Sequence, residues 1–167
     1  IKKDKWDSSD IIESVWDQSG KWNNKIMGIP MTNTPYLLSY RTDLVQKVPD
    51  TWDEFFKICE KLNDPAKGFY AIAVPGVKEQ FDSIFMIAHW ALGGAWADSN
   101  WNVTINSPET RKALDISKKI LQYSDPAAPA WGLPEADAAF LQGKAAFCFS
   151  WPTLGVTVVG DDPAKSK

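Results

Sequence analysis

Glu79 and Asp82 stand three residues apart at the mouth of an apolar helical stretch. Two carboxylates at a set separation across a sugar can hydrolyse a glycosidic bond. Acidic residues at a helix start also complement its dipole, and that reading asks less of the sequence. In a third reading one of them accepts hydrogen bonds from sugar hydroxyls, which needs geometry but no perturbed pKa. The single histidine, His89, lies inside the apolar stretch, where a satisfied core residue is expected before a base or metal ligand. No GxSxG elbow, HExxH helix or GxxxxGK[ST] phosphate loop occurs. These residues imply no metal and no cofactor. Nine tryptophans, at 6, 16, 22, 52, 90, 96, 101, 131 and 151, are a different resource. Indole is costly to place unless it packs or makes contact, and the apolar face of a pyranose stacks on it. Binding fits these residue types better than catalysis does.

Composition narrows the classes further. A chain of 167 residues can bury a real core, and 44% hydrophobic with 23% charged residues is an ordinary globular balance. The net charge of -3 argues against a nucleic-acid partner. Lys2, Lys3 and Lys5 are interrupted by Asp4 and Asp7, a solvated surface pattern. No apolar run approaches the roughly 18 residues of a membrane helix; the densest, from Ile84 to Leu92, reads as a buried helix. Cys59 and Cys148 are flanked by apolar residues, so two buried free thiols are expected. Asn102-Val103-Thr104 has the form of a glycosylation triplet, a pattern too common by chance to carry weight. The chain opens on IKKDKW without a signal peptide and closes on DDPAKSK, so a fragment is expected.

Short strands alternate with helices along the chain, which argues α/β. A helical pattern runs from Ser9 to Trp16, with Ile11, Ile12, Val15 and Trp16 on one side. A strand from Lys25 closes at Pro30, and a crossover over 31–35 leads to a second strand, Tyr36–Arg41. Thr51 and Glu54 have capping-box spacing ahead of a stripe of Trp52, Phe55, Phe56, Cys59 and Leu62. The run Phe69–Val74 suits a strand buried on both faces. A loop over 75–80 opens a helix from Asp82 to Leu92, ended by Gly93-Gly94. Trp90 is placed in its core. Residues 95–106 form an irregular or hairpin insert. Ser107 and Pro108 start a helix to Tyr123, with Ala113, Leu114, Ser117, Ile120 and Leu121 facing inward. A short helix stopped by Gly143 then precedes a strand, Ala145–Phe149, that ends in Ser150-Trp151-Pro152.

Several segments, in this order, resemble the extracellular solute-binding proteins of sugar-import ABC transporters, the relatives of maltose-binding protein. They are GKWNNKIMGIPMTNTPYLLSYRTDLV, PDTWDEFFKICEKL, FDSIFMIAHWALGGAW, and NSPETRKALD followed by AFLQGKAAFCFSWP. The likeness covers about Lys21 to Lys167. It departs from the family at Pro35-Tyr36 and at Arg41-Thr42, where Asn-Lys is common. The resemblance implies a periplasmic-binding-protein-like (type II) lobe, with a mixed sheet flanked by helices. Residues 1–30 would be the edge of a first lobe, 31–35 the hinge crossover and 36–167 the second lobe. It implies a non-catalytic protein, periplasmic or extracellular and in some members lipid-anchored. Such a protein closes on a mono- or oligosaccharide and delivers it to membrane permease subunits. The remaining lobe segments of the same protein would complete the site. A glycoside hydrolase domain is the alternative. The ligand positions carried over are Asn33 in the crossover; Gly76, Glu79, Gln80 and Asp82 after the third strand; and Trp151 as a stacking platform, against the reading of a packed core indole. Trp131 and Tyr36 are further candidates.

Overall fold

A computed structural model describes residues 8–32 and 34–155. The chain divides into two compact units, Ile1–Pro35 and Tyr36–Lys167. In the first, α1 (Glu13–Val15) runs directly into a π-helical turn, Trp16–Gly20. A hairpin of β1 (Lys21–Trp22) and β2 (Lys25–Ile26) follows, with Trp22 opposite Lys25. Its turn residues, Asn23 and Asn24, have φ of 49° and 59°. A two-residue hairpin needs that left-handed geometry, and asparagine tolerates it. The helical pattern expected over 9–16 therefore persists to Gly20 but is broken before Glu13. Ile12 is exposed, while Trp16 is buried. The strand expected over 25–30 stops at Ile26, because the N–H groups of Met27 and Gly28 both donate to the Gly20 carbonyl, at 2.9 and 3.3 Å.

The second unit holds β3 (Leu37–Tyr40), α2 (Trp52–Leu62), β4 (Tyr70–Ala73), α3 (Lys78–Ala91), α4 (Pro108–Gln122), α5 (Leu133–Leu141) and β5 (Ala145–Ser150). The sheet order is β3-β5-β4, with β4 parallel and β3 antiparallel to β5. This is the mixed, helix-flanked sheet expected. As the central strand, β5 is buried at all of its positions, which its apolar sequence AAFCFS permits. Alternation sends Phe147 and Phe149 to one face, where Phe55 of α2 lies 4.8 and 6.1 Å away between ring centroids. Cys148 goes to the other face, in a cluster with Ala73, Ala139 and Leu154.

Helix ends follow the side chains that satisfy them. Thr51 Oγ1 accepts from the Glu54 N–H at 3.2 Å, capping α2. The reciprocal bond reaches one residue further out than a capping box requires, from the Asp50 N–H to Glu54 Oε2 at 3.0 Å. Ser107 Oγ caps α4 through the Thr110 N–H at 3.2 Å. The buried stripe of α4 is Thr110, Ala113, Ile116, Ser117 and Ile120. Leu114, expected inside, is one residue further round and is exposed. Trp90 is likewise 54% exposed and is not core; α3 buries Ile84, Ala88 and His89 instead.

Cys59 and Cys148 are free and buried. Burial pushes the Cys59 thiol up to about 12 and raises that of Cys148 as well. Thiolate is the reactive form, so both should stay protonated and inert near neutral pH. A chromogenic disulfide reagent at pH 8 should label neither thiol in the native protein and both in denaturant. Fast native labelling would contradict their burial.

Candidate functional site at the carboxyl edge of the sheet

Because β4 and β5 are parallel, their carboxyl ends open on one edge, and antiparallel β3 begins there with Leu37 opposite Ser150. In open α/β sheets ligands collect beyond the carboxyl ends of the strands. Three chain segments meet at this edge: Tyr36 before β3, Pro75-Gly76-Val77 after β4, and Trp151 after β5.

The loop after β4 lies against the segment ahead of α5. The N–H groups of Gly76 and Val77 both donate to the Trp131 carbonyl at 3.0 Å. A Cβ on Gly76 would stand 2.3 Å from the Ala128 carbonyl oxygen, so only glycine allows this approach. With its backbone set in this way, Val77 caps α3 without a side-chain bond, and the helix begins at Lys78. The start expected at Asp82 is thus four residues late. Glu79 and Gln80 sit in the first turn and not in a loop. Glu79 and Asp82 are exposed, one turn apart, as residues complementing a helix dipole would be. Gln80 Oε1 accepts from the Leu133 N–H at 2.8 Å, which satisfies an open donor at the start of α5. Its oxygen is therefore a tie between helices, with the amide NH2 left for other partners.

Two hydroxyls at the edge have no such tie. Tyr36 Oη and Ser150 Oγ are buried without a hydrogen-bond partner among the described residues. Burial raises the Tyr36 phenol pKa, and Cys148, Asp137 and Asp82 add to the effect, so it remains a neutral donor. Sequence reasoning missed Ser150; its one signal is a hydroxyl at the end of an otherwise apolar strand. Trp151 beside it is 44% exposed, a partly open indole and not a packed one. Trp131 divides its roles. Its carbonyl holds the Gly76 loop, and the residue also lines a cavity of about 240 Å3 shared with Tyr70, Asp125, Glu135 and Lys144. That cavity reaches Tyr70 and Ala145, at the amino ends of β4 and β5. Asn33 lies outside the described residues.

His89 is a core residue. It is fully buried, its Nε2 is 3.1 Å from Thr110 Oγ1, and its ring stacks on Phe85 at 5.5 Å. Among the described residues no three His, Cys, Asp or Glu side chains converge as a metal site.

A sequence model of the bacterial extracellular solute-binding proteins matches residues 2–155. The chain is 28% identical to the mannitol-binding protein of Pseudomonas aeruginosa, over 95% of this chain and 38% of that protein. Among solved structures, an ABC transporter solute-binding protein from Agrobacterium radiobacter K84 in complex with ribitol matches with a TM-score of 0.75 and 28% identity. That match covers 92% of this chain and 40% of the other. Maltose-bound T. maritima MalE3 matches with a TM-score of 0.74 and 25% identity, over 89% and 40% respectively. The chain thus spans about two fifths of the length of these relatives.

Proposed function

Because the chain belongs to the bacterial extracellular solute-binding proteins, we propose that it supplies one wall of a carbohydrate-binding cleft, for delivery to an ABC importer and without turnover. The exposed indole of Trp151 at the carboxyl end of β5 carries this reading. A flat apolar face suits the C–H face of a sugar or an extended polyol, and the groups around it supply polar contacts. Tyr36, as a neutral phenol, can both donate and accept. Glu79 and Asp82 offer charged acceptors, which hold hydroxyls about twice as strongly as neutral ones. Asn33 and Gln80 belong to the same proposal, with Gln80 acting through its NH2 group. Gly76 contributes by fixing the loop, and Trp131 by anchoring it through its carbonyl.

In this reading residues 1–30 are an edge of the first lobe, 31–35 the crossover and 36–167 the second lobe. The lobes close on the ligand about the crossover, and the closed form is what permease subunits recognise outside the cytoplasmic membrane, with or without a lipid anchor. Two of the three relatives hold acyclic polyols, mannitol and ribitol, so these are the first ligands to try, beside maltose.

The test is a calorimetric and tryptophan-fluorescence titration of the full-length protein with mannitol, ribitol and maltose. Saturable binding of at least one is expected, with the sugar recovered intact. Trp151→Ala should weaken it by about tenfold or more, roughly 1.4 kcal/mol. No binding of any of the three would overturn the carbohydrate assignment. Cleavage of maltose that is lost on replacing Glu79 or Asp82 would establish the hydrolase instead.

A further inference from the structure

Trp101 is held at a φ of 63°. A bulky side chain rarely occupies that region, and holding one there strains the backbone. Burial of the ring does not offset the strain, since Trp101 is 83% exposed. Asn23 and Asn24 are the other non-glycine residues with positive φ among those described, and their hairpin accounts for them.

The turn that presents Trp101 is tightly built. Asp98 Oδ1 accepts from the N–H groups of Asn100 and Asn102 at 2.8 and 2.9 Å, and Oδ2 accepts from the Asn102 side-chain amide at 2.9 Å. The Asp98 carbonyl accepts from the Trp101 N–H at 3.0 Å, and the Asp98 N–H donates to the Asn102 carbonyl at 3.0 Å. Behind the turn, the Thr104 N–H donates to the Trp96 carbonyl at 2.9 Å. The hydrogen-bonded turn therefore presents one exposed indole, and Val103, two residues further on, is 78% exposed.

The chemistry of the tip narrows its occupant. Between residues 95 and 106 the one charged side chain is Asp98, and the turn itself uses both of its oxygens. What remains at the tip is the Trp101 face, Val103, the Asn100 side chain and an Asn102 amide that already donates to Asp98, with Trp96 and Ile105 less exposed at the base of the insert. Nothing here attracts an anionic lipid or a nucleic acid. An indole with one valine offers on the order of 200–300 Å2 of surface, against about 800 Å2 per partner in a stable protein interface. A second copy of the chain is therefore poorly served. One sugar ring on one indole face, with amides at its rim, is well served.

We propose that Trp101, with Asn100 and Asn102, forms a surface platform for a neutral glycan chain, additional to the carboxyl-edge site. The platform does not depend on what the carboxyl edge binds.

The test is affinity electrophoresis of the full-length protein in native gels containing dextran, amylopectin or hydroxyethyl cellulose. Retardation by at least one is expected, about fivefold weaker for Trp101→Gly and largely kept by Trp101→Phe. Glycine accepts the left-handed backbone, so Trp101→Gly should melt no lower than wild type, and it should bind mannitol, ribitol or maltose as wild type does. Lack of retardation by all three polymers, or equal retardation of Trp101→Gly, would overturn the proposal. So would a change of oligomeric state in light scattering on Trp101→Gly, or loss of binding to phosphatidylcholine–phosphatidylglycerol vesicles as that variant's sole defect. Retardation without binding of any small ligand would leave the platform standing and remove the carboxyl-edge reading.

Discussion

Phe147→Ala is expected to lower folding stability by about 3–5 kcal/mol, the range for emptying a fully buried aromatic site. Phe147 sits in the middle of the central strand, opposite Tyr40 on β3 and Ile72 on β4. It is completely buried, and the Phe55 ring meets it at 4.8 Å. Collapse around the missing ring is limited, because α2 is also held to its neighbours by Phe55–Phe149 and Phe56–Tyr123 ring contacts, both at 6.1 Å. Residual cavity volume then adds to the lost transfer energy. Urea unfolding followed by far-UV circular dichroism measures the loss, and the melting temperature should fall by on the order of 10 °C or more. A loss below about 1.5 kcal/mol would mean that the sheet is not built around β5 as described. Phe149→Ala should behave similarly, since Phe149 lies on the same face at 6.1 Å from Phe55.

The strand that carries Phe147 was readable from composition, because a run of six small and apolar residues after a glycine stop has few other fates. So were the starts of α2 and α4, where Thr51 and Ser107 announce themselves by spacing. The start of α3 was not. Asp82 has the type expected near a helix terminus, but the true cap, Val77, is fixed by backbone bonds to Trp131, a partner 54 positions away. The facing of α3 was hidden for a related reason. The run from Ile84 to Leu92 is apolar nearly all round, so periodicity cannot choose a side. Packing on α4, with Thr110 against His89, keeps His89 inside as expected and leaves Trp90, expected in the core, exposed.

The candidate site shows the same division. That Trp151 follows a strand end is local information; that Tyr36 and Gly76 reach the same edge depends on strand order and register. The hydroxyls of Tyr36 and Ser150, without a partner among the described residues, are products of that pairing, and no spacing in the sequence announces them. Gln80 carries the opposite lesson. Its type suits a ligand contact, yet its oxygen is taken by the Leu133 N–H, so the side chain serves the scaffold first.

Gly76→Ala should therefore harm both fold and binding, and the two effects can be separated. The added methyl would meet the Ala128 carbonyl oxygen at 2.3 Å, its carbon at 2.7 Å and Pro129 Cα at 2.8 Å. All three are backbone atoms, so no rotamer change relieves the clash. The 75–77 loop must lift, which strains the paired N–H bonds to the Trp131 carbonyl and the entry to α3. Overpacking of this kind costs about 1–3 kcal/mol, and one buried hydrogen bond lost adds about 1 kcal/mol. Gly28→Ala is the control: nothing lies within 4 Å of its Cβ position, and its stability should change by under about 1 kcal/mol. If the carboxyl edge is the ligand site, Gly76→Ala at a temperature where it is fully folded should still bind mannitol, ribitol or maltose at least about tenfold more weakly. Wild-type affinity in that folded variant would remove the Gly76 loop from the site, whereas wild-type stability would show that the 128–131 segment yields more easily than its backbone contacts imply.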